Sequence, residues 1–364
     1  MNDSPNNSKQ TEVAIRPPQI FRSLVGGFHA VASNAGLLLV PLALDLLLWF
    51  GPHLRVKRLF EPALLEMMTL LRRYNPPSAT PQGMDINTLQ KAGQEFLERY
   101  NLFGSLSTFP LGVPSQMASM MPVETPAGSP QFMEIGSGWT FLFGWLGLTL
   151  LGFILASLYF AVIARACTRF LAAANPEGMA DCEPNAPARL LGRNGNSLPR
   201  FGLGTLAWET LQMIALVLLL FIVVMIIMVP VLMVATLLAQ LSLFVAWFLL
   251  MMVGFAVIWF LVPLVFSPHG IFMCGQSLLN AMLNSTRVVR YSLPGTGLFL
   301  TALILINQML GSLWISAPET SWMALVGLFG HAFVSTALLA ATFVYYRSGL
   351  TYVQNLRGLA RKSV

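Results

Sequence analysis

The stretch that decides the fold is Met213–Phe266, MIALVLLLFIVVMIIMVPVLMVATLLAQLSLFVAWFLLMMVGFAVIWFLVPLVF, about 54 residues interrupted by little more than Thr236, Gln240 and Ser242. At 1.5 Å per residue a single helix of that length would measure about 80 Å. The hydrocarbon core of a bilayer is roughly 30 Å thick. The segment must therefore fold back on itself. A turn at Pro230 would leave a second arm too long to cross, so the turn belongs near Leu238–Ser242. The two spans that result are long, and their excess length calls for tilt or protrusion.

Four further apolar runs lie on either side: Val31–Phe50, Trp139–Ala164, Thr296–Ile315 and Trp322–Tyr346. Together with the central pair they predict an all-α, polytopic membrane protein built as a six-helix transmembrane bundle. Composition agrees. The 364 residues are 55% hydrophobic and only 10% charged, where a soluble domain carries about 25% charged residues. That deficit excludes a water-soluble enzyme. The net charge of +6 comes from 21 Lys and Arg scattered over loops and termini, with no run dense enough for nucleic acid. Cys167, Cys182 and Cys274 are expected to be reduced thiols, with no CxxC pair among them.

The chain divides by composition. Residues 1–19 read as a disordered polar tail, 20–50 as an interfacial helix feeding span 1, and 51–138 as an exported loop with short helices. Residues 139–164 form span 2, 165–212 a cytoplasmic loop with an interfacial helix, and 213–266 spans 3 and 4. Residues 267–295 form a further cytoplasmic interfacial helix, 296–346 spans 5 and 6, and 347–364 a cytoplasmic tail. Within the loop, Leu59–Tyr74 has a wide apolar face, Asp85 is placed to cap a helix carrying Ile86, Leu89, Phe96, Leu97 and Tyr100 on one side, and Phe103–Gly138 is rich in Pro, Gly, Ser and Met. The last of these predicts disorder or irregular structure laid over the bundle, either as a loop packed on helix ends or as a lid over an external opening.

Loop charge gives the orientation. Lys9, Arg16 and Arg22 precede span 1; Arg165, Arg169, Arg189, Arg193 and Arg200 follow span 2; Arg287 and Arg290 precede span 5; and Arg347, Arg357, Arg361 and Lys362 follow span 6. The two short loops on the opposite face carry neither Lys nor Arg. Both termini are thus expected to be cytoplasmic in a bacterial plasma membrane. Trp49, Trp139, Trp314 and Trp322 fall at the outer boundary and Trp208 at the inner one, where an aromatic belt would lie.

A weak internal repeat runs through these segments. Ile20, Phe21, Leu24, Val25, Phe28 and Val31 stand at the same relative offsets as Leu278, Leu279, Met282, Leu283, Thr286 and Val289, each set forming one face of a helix. A poorer third copy spans Leu198–Glu209. Three units, each an interfacial helix followed by a hairpin of two spans, are expected.

The stretch Pro263-Leu-Val-Phe-Ser-Pro268, with Ser277-Leu-Leu-Asn-Ala281 and Asn284-Ser-Thr-Arg287 leading into span 5, resembles the six-helix membrane domain attached to some bacterial glycerophosphodiester phosphodiesterases and to related integral membrane families. Phe21-Arg-Ser-Leu24 through Asn34 echoes it near the N-terminus. The likeness covers about a fifth of the chain and implies a bundle fold. It brings no chemistry with it, because the His-Arg and Glu-Asn pairs of the catalytic domain are absent from the chain. The segment Gly275–Pro294 also resembles the coupling loop of ATP-driven importer permeases, without the acidic residue that heads that motif.

Polar residues inside spans carry the remaining information, since an ionisable group at a span's centre costs at least about 2.5–3.5 kcal/mol on insertion scales. Asp45 lies within about 10 Å of the outer end of its span and His331 about 14 Å from that of its own. Asn307 and Gln308 fall at similar depth, and Gly327, His331, Ser335 and Thr342 form a small, polar stripe on span 6. In one reading Asp45, His331, Asn307, Gln308 and Ser335 satisfy one another and fix helix packing. In the other they form a proton- or ligand-handling layer reached from outside. Arg165, Arg169, Arg287 and Arg290 are candidates for contact with lipid headgroups or a protein partner. No metal-ligand spacing, phosphate loop or nucleophile elbow occurs, so no cofactor is expected. The expected function is that of a non-enzymatic scaffold or accessory subunit, in contact with lipid and with a protein partner or a second copy. The alternative is a permease or permease subunit using the outer polar layer.

Overall fold

The computed structural model describes residues 17–74, 86–108, 110–174 and 202–362. Helices account for nearly all of it. α1 (Ile20–Ala32), α2 (Leu39–Phe50), α3 (Lys57–Tyr74), α4 (Ile86–Arg99) and the short α5 (Gln116–Met120) precede the long α6 (Gly138–Ala174). α7 (Leu203–Leu241), α8 (Leu243–Leu261), α9 (Ser267–Cys274), α10 (Leu278–Tyr291), α11 (Leu293–Trp314) and α12 (Ala324–Lys362) complete the chain. Five helices are long and apolar enough to cross a membrane, and a sixth span arises if α1 and the segment Ala35–Phe50, bent by 91°, count as one. The chain is an all-α membrane-type bundle with one departure from that class. β1 (His53–Arg55) pairs in parallel with β2 (Phe132–Glu134), tying the two ends of the long loop together.

The central hairpin turns at Ser242, the single residue between α7 and α8. Pro230 stays inside α7. The other elements differ from their expected bounds. α6 runs to Ala174 and α12 to Lys362, past the ends of the apolar runs. The span ending at Phe266 instead breaks after Leu261 and resumes as α9, whose residues from Ser267 to Met273 are all buried. Gly275 ends α9 in the left-handed conformation at φ 60°, which glycine adopts without strain.

α1 and α10 share an order of exposure along their apolar stripes, though α1 packs mainly on α12 and α10 mainly on α9. The sequence stripe Ile20, Phe21, Leu24, Val25, Phe28 and Val31 is half-buried, exposed, half-buried, exposed, half-buried and buried in turn, and Leu278, Leu279, Met282, Leu283, Thr286 and Val289 follow the same order. The packed faces are the intervening ones: Ser23, Gly26, Gly27 and Ala30 on α1, and Ala281, Asn284, Ser285 and Val288 on α10. Within the stripe Phe21, Val25, Leu279 and Leu283 are exposed, while Ile20, Leu24, Phe28 and Leu278 pack against the core. The small face seats closest to the bundle, because close helix approach needs small residues. Gly27 is the tightest point, since a Cβ there would stand 2.5 Å from both the Ala337 carbonyl oxygen and the Ala341 nitrogen of α12. The middle unit differs from the other two, since residues 203–241 form one unbroken helix with no separate leading segment.

The main core gathers α1, α2, α6, α9 and α12 around Trp49, Tyr159, Phe160, Phe272 and Phe343. α7 joins it only near its start, through Met213 and partly buried neighbours. Beyond Leu216 the α7/α8 hairpin leaves the bundle. Apart from Ala235 and Ala246 none of its residues is buried, and Ile226, Phe244, Trp247, Met251 and Phe255 are all exposed. Of the expected belt, Trp139, Trp208 and Trp322 are exposed, whereas Trp49 is fully buried. Cys167 is a free, buried thiol, while Cys274 is disulfide-bonded, contrary to the expectation of reduced thiols. The N-terminal residues 1–16, Asp85, Cys182, Arg189, Arg193 and Arg200 lie outside the described residues.

Candidate functional site

The long loop does not simply rest on helix ends. After α4 the turn at Leu102–Leu106 runs down α6, with Leu102 against Gly144 and the Leu106 and Ser105 carbonyls against Gly152. A Cβ at Gly152 would lie 2.7 Å from the Leu106 carbonyl oxygen, so this glycine lets the loop backbone reach the helix. Leu102, Leu106, Val113 and Met117 are all buried. The chain then enters α5, wedged between α2, α12 and the end of α11, where the Gln116 side-chain amide donates to the Trp314 carbonyl at 3.0 Å.

Asp45 sits at the bottom of this insertion and is 0% exposed. Its Oδ1 accepts from the Ser115 hydroxyl at 2.6 Å and from the Met117 backbone N–H at 2.9 Å. Ser115 Oγ in turn accepts from the Ala118 N–H, capping α5. The carboxylate therefore anchors the first turn of α5, which satisfies N–H groups that a helix start leaves open. Oδ2 has no hydrogen-bond partner.

A second anchor, which the sequence reading missed, is Glu319 in the turn between α11 and α12. Its carbonyl accepts from Trp49 Nε1 at 3.0 Å, and its carboxylate pairs with Arg99 at 3.1 Å and accepts from the Val123 N–H at 3.4 Å. A glutamate between Pro318 and Thr320 in a short loop looks like ordinary surface charge, so the sequence offers no signal for it.

The other members of the expected polar layer are not drawn to Asp45. Asn307 and Gln308 are exposed on α11, and His331 is half-buried on α12. The Ser335 hydroxyl donates back to the His331 carbonyl at 2.6 Å within the same helix. Among the described residues no hydrogen bond joins any two of Asp45, His331, Asn307 and Gln308. A histidine buried among the spans is His269 on α9, 4% exposed. Its Nε2 lies 2.6 Å from Thr342 Oγ1, whose own hydroxyl donates to the Leu339 carbonyl, so the imidazole N–H is the donor. Phe343, Phe266 and Tyr346 wall it in, with ring centroids 4.3, 5.4 and 5.9 Å away. Ser267 and Gln276 are buried nearby on the same segment. The Ser-Pro-His run opening α9 gave no periodic signal of this burial.

The arginines fall into two places. Arg165 and Arg169, one turn apart on α6, line a cavity of about 310 Å³ with Asn34, Gly36 and Leu37, at the break between α1 and α2. Arg287 donates to Asn284 at 3.0 Å and lines a shallow recess with Gln276, Gln354 and Arg357. Arg290 is exposed on the outer side of α10. Among the described residues, the cavity at Arg165 and Arg169 is lined by two guanidinium groups and one carboxamide, a donor-rich set suited to an anion.

On the loop side, His53 Nε2–H donates to the Leu48 carbonyl at 3.0 Å, and burial holds its pKa below the usual histidine value. The Arg55 guanidinium lies 3.4 Å above the Phe132 ring, fastening β1 to β2. Lys57 and Glu98 pair at 2.6 Å between α3 and α4. The described residues contain no cluster of His, Cys, Asp or Glu able to hold a metal ion. No protein-family model, no curated protein and no solved structure matches this chain.

Proposed function

We propose that this chain is a non-enzymatic, multi-pass protein of a bacterial plasma membrane, with both termini cytoplasmic, that serves as a scaffold or accessory subunit. The observation that carries the reading is the state of Asp45. It is the one acidic residue within the apolar runs, and it is buried and engaged in fastening the long loop into the bundle. A permease site open to the outside would leave that carboxylate reachable; here α5 covers it. The resemblance to membrane domains fused to phosphodiesterases supports the same reading, since such a domain supplies a membrane setting rather than chemistry. On this view the cavity at Arg165 and Arg169 takes an anionic lipid headgroup at the cytoplasmic surface.

The test is native mass spectrometry of the protein extracted gently from its own membrane. A stoichiometric protein partner or a second copy, with anionic phospholipid retained and lost on Arg169→Gln, is the expected result. A lone, lipid-free chain that transports or turns over a solute after reconstitution would overturn the proposal.

A further inference from the structure

Two sets of helices are left uncovered, and they differ in chemistry. The exposed positions of α7 and α8 beyond the bundle are almost all Leu, Ile, Val, Met, Phe and Trp, side chains at home in lipid that need no protein cover. α11 is different. Its packed side carries Thr296 and Phe299, with Leu300 and Leu303 against the cluster around Phe266 and Tyr345. The side directly opposite carries the exposed apolar Leu298, Leu305 and Met309, and between the two lies a face of Gly297, Thr301, Ile304, Gln308 and Ser312, every one of them exposed. These residues follow steps of four, three, four and four, which is one continuous helix face. Asn307, exposed as well, stands in line with Leu300 and Leu303 rather than on this face.

Gln308 lies about 9 Å from the Trp314 end of α11, inside the hydrocarbon depth of a span. A carboxamide held there against lipid has two donors and an acceptor with nothing to bond, a cost of a few kcal/mol. The face therefore requires a protein surface that can both donate and accept. A carboxamide meets that requirement with a copy of itself, and a two-fold axis brings identical residues together. Gly297, with open space where a Cβ would stand, allows close approach at the other end of the face.

We infer that a second copy of this chain covers α11, forming a parallel two-fold dimer in which the Gln308 carboxamides bond to each other across the axis. Thr301 and Ile304 continue the seam on either side of the axis. This inference is independent of the accessory role proposed above: a dimer with no other partner satisfies it, and an accessory subunit that never self-associates does not.

Oxidative cross-linking in native membranes tests it. Thr301→Cys, Ile304→Cys and Gln308→Cys should each give a band at twice 39.9 kDa, while wild type and Leu303→Cys, whose position faces the bundle, should not. Gln308→Leu places a lipid-compatible side chain at an exposed position, so the fold should tolerate it, and dimerisation should weaken about three- to tenfold. Gln308→Asn should restore most of the loss. The absence of a dimer band, cross-linking to a different protein, or a dimer unaffected by Gln308→Leu would each refute the inference.

Discussion

Replacing Asp45 with alanine should release the loop insertion while leaving the spans assembled. Asp45 Oδ1 accepts two hydrogen bonds, from Ser115 and Met117. Bonds to a charged acceptor are worth about 1.5–3 kcal/mol each, and the Met117 N–H would be left buried without a partner. Part of that loss is offset, because the carboxylate is itself buried with Oδ2 unbonded, and removing it ends a desolvation cost. A net loss of roughly 2–4 kcal/mol follows, which raises the opening equilibrium of the insertion from about 30-fold to several hundred-fold. Limited proteolysis of the intact protein in nanodiscs reads this directly, as the rate of cleavage between residues 101 and 131. Asp45→Asn keeps the acceptor oxygen and should change the rate by less than about tenfold, and Ser115→Ala should fall between the two. A cleavage rate for Asp45→Ala within threefold of wild type would refute the anchoring role.

Three further outcomes follow from the packing. Gly27→Ala forces α1 away from the Ala337 and Ala341 backbone, and should lower stability by about 1–3 kcal/mol as a drop in Tm in lipid nanodiscs, with Gly27→Leu blocking assembly of α1 on α12. Trp49→Phe removes the bond to the Glu319 carbonyl and should cost about 1 kcal/mol. Arg99→Gln, at a partly exposed pair with the same glutamate, should cost less than Trp49→Phe in the same thermal assay. His53 gives a pH dependence. Its folded pKa lies below the ordinary histidine value of about 6.5, so the unfolded chain binds the proton first. The stabilisation is therefore complete above about pH 6.5 and declines as pH falls from there toward the folded value. Thermal scans between pH 7.5 and 5 should show this slope, and His53→Gln should flatten it.

The legible parts of the fold were those set by length against bilayer thickness. Met213–Phe266 could not cross once, and its few polar residues pointed to a turn near Leu238–Ser242, where α7 gives way to α8 at Ser242. The inward face of α1 was not legible, because the apolar stripe through Phe21 and Val25 marks the side suited to a membrane surface and says nothing of which side meets another helix. In lipid the small residues Gly26, Gly27 and Ala30 do the packing. Asp45 could be singled out from its cost within an apolar run, yet its partners are 70 and 72 residues away in a Pro-rich stretch with no periodic pattern. The 91° bend after Ala32 and the burial of α9 were likewise invisible, since both come from packing against distant helices rather than from local propensity.

The central claim is that residues 102–120 belong to the bundle rather than to the aqueous loop. Hydrogen–deuterium exchange of the wild-type protein in lipid nanodiscs tests it most directly. The account predicts that the backbone N–H of Met117 and its neighbours in α5 exchange as slowly as those of α2, while amides on the exposed outer face of α4 exchange much faster. Exchange of Met117 and its neighbours within seconds, at the rate of an open loop, would contradict it.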